Sequence, residues 1–417
     1  MSKIVINFWL MPNADFDTLG ILQKEISKFE QQNRNIHIEP TIIPWAHAWD
    51  RLMNYYKHQD ELAPPDVIQI GTTWVPSLTY LGVLRNIRDF FDYSITEDII
   101  EPLKNVSKSP DTDMILCIPW FSDIRLLYFR KDILKKFGFG VADISDFESF
   151  RNVCMTIQNS IKSDDDIMAY KLSGHPETIF IHDIAPWLWG TGGNFLSSDL
   201  KRIAFDKPEA RNAFKWYFRL VNDLFAGTEG KYGIIPPGTF FSGRYAMEIN
   251  GKSPFYNLAN LKHSDFSPGV VKNYDLTQVP KGPKGSFPFV GGSCLAMPKL
   301  CRYPEEASEW IRYLISPESQ LRHCYIIGAF PSRTSLLKEF FKGHEQYHEA
   351  ITTALKNGIT FLYTPYSSLV GSLEKIITAF TDRVLLQIRT GKFSEKTVDE
   401  EITKAAAEAN YITSIHS

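Results

Sequence analysis

Hydrophobic positions near the N-terminus change their period in a regular order. Ile4-Val5-Ile6-Asn7-Phe8-Trp9 is a short apolar run, the pattern of a buried strand. Leu19, Leu22, Ile26 and Phe29 then recur at helical spacing, with Asp15 or Asp17 placed to cap the first turn. Ile36 to Ile43 predicts a second strand, and Trp49 to Tyr56 the start of a second helix. After Pro64-Pro65, the segment Asp66-Val67-Ile68-Gln69-Ile70-Gly71 is a third, nearly continuous apolar strand. Strand, helix, strand, helix, strand implies a parallel sheet covered by helices, hence an α/β fold.

In such sheets ligands bind at loops beyond the carboxyl ends of the strands. Trp9 ends the first strand, Trp45 follows the second and Trp74 follows the third. Trp216 and Trp310 sit instead in amphipathic helical patterns and are expected in the core. Further on, Ile118-Pro119-Trp120-Phe121-Ser122-Asp123-Ile124-Arg125 sets two rings beside a carboxylate and a guanidinium. Leu126 to Phe129 continues as an apolar strand into a short helix ending near Lys135, Lys136 and Gly138. Aromatic faces beside a charged pair suit a polar ring-shaped molecule: rings cover its C–H face while Asp123 and Arg125 meet its hydroxyls. A core strand carrying a simple ion pair fits the same residues.

The middle of the chain holds Pro186-Trp187-Leu188-Trp189-Gly190-Thr191-Gly192-Gly193-Asn194, an aromatic pair before a flexible turn. Pro208 to Phe225 is a helical pattern with Phe214, Tyr217, Phe218, Val221 and Leu224 on its apolar side. Phe240-Phe241-Ser242-Gly243-Arg244-Tyr245-Ala246-Met247 leads to a short strand ending at Asn250-Gly251. The Gly/Pro-rich loop from Val279 to Gly285, before Phe287-Pro288-Phe289-Val290-Gly291-Gly292, suits a crossing between lobes. Pro304 to Ser316 and Leu369 to Thr390 read as helices.

At 417 residues the chain exceeds one comfortable core, so two lobes are expected. A formal net charge of −3 with no basic block argues against nucleic acid or an anionic membrane as main partner. No run of about 18 apolar residues appears. The five cysteines form no CxxC pair or zinc spacing and are expected to be small core residues. Met1-Ser2-Lys3 passes directly into a strand pattern without a signal peptide, which leaves a cytoplasmic protein or a removed export signal.

Enzyme motifs are weak. His344-Glu345-Gln346-Tyr347-His348 matches the HExxH pattern, but Gly343 weakens the helix that a zinc site needs, and a chance match is expected. Gly282 to Ser286 lacks P-loop spacing, and no GxSxG elbow is present. Tyr55-Tyr56 is expected to pack, and Asp164-Asp165-Asp166 to be a solvated loop. Asp123 and Glu248 are the carboxylates that a glycoside hydrolase would use.

Taken in order, several segments resemble the extracellular solute-binding proteins of ABC transporters, in the carbohydrate-binding, maltose-binding-protein-like group. They are Asp66 to Trp74, Ile118 to Asp132, Phe241 to Met247, Phe289 to Lys299 and Gly328 to Arg333. The resemblance implies a two-lobed periplasmic-binding-protein-like α/β fold, each lobe a sheet flanked by helices, with a ligand cleft between. Three hinge crossings would fall near Pro119, Pro288–Gly291 and Ile327–Pro331. Lobe one would be 1–118 and 291–329, lobe two 119–290 and 330–417, with Leu336–Leu355 a surface helix of lobe two. Trp9, Trp45 and Trp74 would line one wall, and Trp120, Asp123, Arg125, Trp187 and Trp189 the other. Phe241, Asn250, Gly291 and Gly292 would lie on cleft loops.

The function implied is binding an oligosaccharide and presenting it to transporter membrane subunits, by an extracytoplasmic monomer with no cofactor, no metal and no catalysis. A carbohydrate-active enzyme or a cytoplasmic sugar sensor on the same cleft is the alternative.

Overall fold

The computed structural model describes residues 3–13, 17–57, 64–92, 94–108, 113–160, 167–171, 180–198, 202–225, 240–255, 267–360 and 370–416. Two sheets organise them. The first strands are β1 (Ile4–Leu10), β2 (Ile36–Ile42) and β3 (Val67–Gly71), followed by β4 (Cys117–Ile124) and β5 (Leu126–Arg130). Then come β6 (Met168–Lys171), β7 (Tyr245–Asn250), β8 (Tyr274–Thr277), β9 (Val290–Ala296) and β10 (Phe330–Pro331). A six-stranded sheet has the order β10-β4-β9-β3-β1-β2, and a four-stranded sheet the order β6-β7-β5-β8.

Strands β1, β2 and β3 are mutually parallel where they pair, as the alternating pattern implies. The helices between them are Thr18–Gln32 and Trp45–Lys57, the second starting one turn earlier than expected. Asp17 caps the first helix, its carboxylate accepting from the Gly20 N–H at 2.9 Å. Leu22, Ile26 and Phe29 bury against the sheet, and Phe29 meets Trp310 edge-on at 5.0 Å. Trp310 is wholly buried in a core, and Trp216 is half-buried, packed on the core through Trp187 at 4.9 Å.

Strand membership locates the passage between sheets. β4 pairs with β9 as far as Ile124 opposite Val290, whereas β5 pairs with β7 from Leu126 opposite Asn250. Arg125 is therefore the crossing residue, and its N–H donates to the Phe289 carbonyl at 2.9 Å. Val290 N–H in turn donates to the Ile359 carbonyl at 2.9 Å, and Ile359 N–H to the Pro288 carbonyl at 3.0 Å. The chain passes between sheets at Arg125, Phe289 and Ile359, held side by side. Two expected crossings are thus displaced. Pro119 lies within the six-stranded sheet opposite Cys294, and Phe330-Pro331 pair with Ser122 and Phe121 at its edge.

The segment expected as one helix over Leu336–Leu355 is two, Thr334–Phe340 and Glu345–Asn357, broken at Gly343 with φ 81°. No helix among the described residues is long and apolar enough to cross a membrane. All five cysteines are buried and free, as their spacing suggests. Asp164-Asp165-Asp166 lie outside the described residues.

Candidate functional site

β3 and β4 are both antiparallel to β9, so they run in the same direction. The carboxyl ends of β1, β2, β3 and β4 consequently share one edge of the six-stranded sheet. That edge carries Trp9, Trp45 and Trp74 from one side and Asp123 from the other. The four-stranded sheet begins immediately beyond it, at Arg125.

On the first side, Trp45 and Trp49 stand four residues apart on one helix face. Each meets Trp74 edge-on, at 5.8 Å and 5.6 Å between ring centres. Trp45 is 36% exposed and its indole N–H donates to the Pro12 carbonyl at 3.0 Å, which fixes the ring while leaving a face open. Trp9 is nearly buried, edge-on to Tyr55 at 5.6 Å, with the Arg51 guanidinium 5.1 Å from its ring centre. Gln69 ties the strand ends together. Its amide donates to Asn13 Oδ1 and Ser293 Oγ, both at 2.8 Å, and its oxygen accepts from Met11 N–H at 3.2 Å.

On the second side Arg125 forks two carboxylates. Nη2 donates to Asp123 Oδ2 at 3.0 Å and Nη1 to Asp183 Oδ1 at 2.7 Å. Asp183 comes from the first turn of the helix Phe180–Thr191. Behind the fork, Lys171 donates to Glu248 Oε1 at 2.8 Å, and Glu248 Oε2 accepts from Phe240 N–H at 2.7 Å. Burial pushes the Asp183 carboxyl up to about 6 despite the opposing pull of Arg125 and Lys171. Burial also drives His182 well below the usual imidazole range, with Arg125 adding to it. Arg125 itself is raised: burial disfavours its charge, but Asp123 and Asp183 outweigh that cost. Gly251 closes the site from β7, because any side-chain carbon there would overlap the Asp123 carboxylate.

Two sheets joined by three adjacent crossings, with aromatic rings and a charge fork at their common edge, form a frame for closing on a small ligand. A model of the bacterial extracellular solute-binding proteins matches residues 24–352. The chain belongs to that family. A probable ABC transporter-binding protein of Deinococcus radiodurans is 25% identical over 228 residues, 54% of this chain and 53% of that one. The chain thus matches about half the length of this curated relative. A solute-binding protein from Thermotoga lettingae bound to alpha-D-tagatose superposes with a TM-score of 0.81 at 20% identity, covering 99% and 100% of the two chains. Maltose-bound T. maritima MalE3 gives 0.77 at 19%, covering 98% and 100%. The sugar-binding protein MalE from Xanthomonas citri gives 0.74 at 22%, covering 99% and 98%.

Within this solute-binding protein several expected ligand residues are core instead. Trp120 is wholly buried: it shares the sheet face of Ile118, tilts against Phe8 at 6.3 Å and stacks on His323 at 4.3 Å. The face expected for a sugar is occupied by His323. Trp187 is buried between Phe147 and Trp216, each at 4.9 Å, and Trp189 lies in the same core. Phe241 is buried against Tyr128 and Tyr274, each at 5.8 Å. Gly291 and Gly292 stand at the shared edge, where a Cβ on Gly292 would overlap the Phe121 carbonyl oxygen. The smallness of Gly292 serves backbone packing, and that of Gly291 makes room for the Phe289 ring. Asn250 is half-buried beside Gly251, its side-chain oxygen accepting from Lys252 N–H at 2.8 Å.

Sequence reasoning missed Trp49, Arg51, Lys171, His182 and Asp183. The helical i, i+4 spacing of Trp45 and Trp49 was a usable signal, as was an aspartate inside the apolar run Phe180-Ile181-His182-Asp183-Ile184-Ala185. The HExxH match dissolves. His344 precedes the helix as its cap residue and faces Phe255 at 5.1 Å, while Glu345 accepts from Gly343 N–H. No group of three metal-ligating side chains occurs among the described residues.

Proposed function

We propose that this protein binds a carbohydrate between its two sheets and delivers it to the membrane subunits of an ABC importer. The observation that carries this reading is one shared sheet edge bearing open indole faces on one side and a fixed carboxylate–guanidinium fork on the other. Indoles stack on the C–H face of a sugar ring; Asp123 and Arg125 hydrogen-bond its hydroxyls. The tagatose and maltose complexes of the structural relatives support the ligand class.

In this reading lobe one comprises residues up to Ile124 and from Val290 to Gly358, and lobe two comprises Arg125–Phe289 and Ile359 onward. Trp45, Trp49 and Trp74 form the lobe-one wall, with Trp9 buried behind them against Tyr55. Arg125, Asp183 and Asn250 form the lobe-two wall, and Asp123 meets Arg125 from the lobe-one end of the crossing. Closure rotates one lobe on the three adjacent crossings. The helix Val370–Arg389 belongs to the core of the four-stranded sheet, yet Lys375 reaches Asp50 of the helix Trp45–Lys57 at 3.7 Å, spanning the same opening. Membership of an extracellular solute-binding family favours an extracytoplasmic, monomeric carrier without catalysis. Asp123 and Glu248, the carboxylates available to a hydrolase, are each engaged by a cation.

A thermal-shift screen against mono- and oligosaccharides tests the proposal. A ligand at 100 times its Kd adds about 2.7 kcal/mol and raises the midpoint by a few degrees. The sugar must be recovered unchanged, and Trp74→Ala must remove the shift while leaving the unliganded midpoint within about 2 °C. No shift with any sugar refutes it.

A further inference from the structure

Two asparagines precede glycine in this chain, in Asn250-Gly251 and Asn357-Gly358. Glycine sets no side chain between its own nitrogen and the preceding carboxamide, so this dipeptide cyclises on itself more readily than others. The fold treats the two pairs in opposite ways. Asn250 ends β7, held by its pairing with Leu126 of β5, and its carboxamide oxygen accepts from Lys252 N–H at 2.8 Å. The Asp123 carboxylate fills the space beside Gly251, which leaves no room for a cyclic imide. Asn357 is exposed and ends the helix Glu345–Asn357. Its carboxamide makes no hydrogen bond among the described residues, and the Gly358 N–H makes no capping bond.

The lobe junction also fixes which residue follows Asn357. Gly358 stands directly before Ile359, whose N–H donates to the Pro288 carbonyl at 3.0 Å and whose carbonyl accepts from Val290 N–H at 2.9 Å. A Cβ on Gly358 would lie 2.5 Å from Val290 Cγ2 and 3.1 Å from the Ala354 carbonyl oxygen. Close packing at the crossing therefore imposes glycine, and glycine after an exposed asparagine brings chemical lability with it.

We propose that Asn357-Gly358 is a site of spontaneous deamidation and isoaspartate formation, and that the product weakens the crossing at Ile359. The Gly358 nitrogen attacks Asn357 Cγ, the Cγ–Nδ2 bond breaks, and ammonia leaves with the proton that the Gly358 nitrogen gives up. Water then opens the cyclic imide, with no oxidant or reductant involved. Opening at Cγ leaves aspartate. Opening at the main-chain carbonyl leaves isoaspartate, whose main chain is longer by the Cβ methylene. Either product sets a carboxylate at the C-terminal end of a helix, where the macrodipole disfavours it. The longer chain also displaces Ile359 from its bonds to Pro288 and Val290.

The test ages the full chain at pH 8.5 and 37 °C beside Asn357→Gln and follows both asparagines by peptide mapping. Folded protein should lose the Asn357 amide about tenfold or more faster than the Asn250 amide, which must await local opening. In urea the two should convert at similar rates, which separates the fold's contribution from that of the dipeptide. A protein isoaspartate methyltransferase should label aged wild type and not aged Asn357→Gln. The thermal midpoint of aged wild type should fall by several degrees while aged Asn357→Gln keeps its own. An Asn357 amide that survives as long as that of Asn250 in the folded protein overturns the site. Full conversion at Asn357 with an unmoved midpoint overturns its effect on the crossing. Neither outcome bears on sugar binding.

Discussion

Replacing His323 by Phe should make the protein more resistant to acid. The imidazole is 3% exposed, stacks on Trp120 at 4.3 Å with 13° between planes, and neither ring nitrogen has a hydrogen-bond partner. Burial pushes it down to about 4, with Glu25 and Arg322 acting in opposite senses. The unfolded chain takes up a proton near pH 6.5, whereas the folded protein resists until about pH 4. Protons therefore favour the unfolded state between these values, and stability from this group is lost as pH falls through that window. Between pH 7.5 and 4.5 the loss is about 2.5 kcal/mol, taking 1.36 kcal/mol per unit. Phe keeps the stacking surface and has nothing to protonate. Urea denaturation at pH 7.5, 5.5 and 4.5 should show wild type losing about 2 kcal/mol more than His323→Phe, with the gap opening mainly below pH 6. Other titrating groups cancel in the comparison. Equal acid sensitivity of the two proteins would refute the claim that His323 is held neutral by its packing.

Asp183 has the opposite sign. Its carboxyl is raised to about 6, so the stability it contributes is present at low pH and lost as pH rises through 6. Asp183→Asn should flatten that part of the stability–pH curve, and unchanged curvature in urea melts would count against a buried carboxylate. Gly292, at φ 144° and pressed on the Phe121 carbonyl, should tolerate Ala poorly, with a loss of about 2 kcal/mol or more in chemical denaturation. The buried thiols should be inert: burial raises Cys154, Cys294 and Cys324 well above the ordinary range and Cys301 to about 12. Ellman's reagent should titrate almost no thiol in the folded protein and five after denaturation.

The fold could be read from sequence wherever a period sufficed. Helical spacing of Leu22, Ile26 and Phe29 and the apolar runs of β1 and β3 come from each element burying one face or two, which neighbours in sequence record directly. The tryptophans at the ends of β1, β2 and β3 were legible for a related reason, since a parallel strand followed by a helix always places its carboxyl end at one edge. Trp120, Trp187, Trp189 and Phe241 were not. Whether a ring faces ligand or core depends on what fills the opposite face, and for Trp120 that is His323, contributed by a helix some 200 residues away. Crossings failed similarly: Gly and Pro report turns, whereas sheet membership changes at Arg125 inside a continuous apolar strand pattern.

The same distinction explains why the charge fork is hard to see in the sequence. Asp123 and Arg125 are two residues apart and read as a pair, which by itself leaves a neutral, self-satisfied strand end. Asp183 lies 58 residues from Arg125 and converts the pair into a fork. An acidic residue inside an apolar helical run cannot remain there uncompensated, so a cation must reach it from another element. In this sequence the strand-end Arg125 is already a candidate for a site. A search for such obligatory partners recovers long-range polar contacts that periodicity never encodes, and here it joins the helix Phe180–Thr191 to the lobe junction through Asp183 and Arg125.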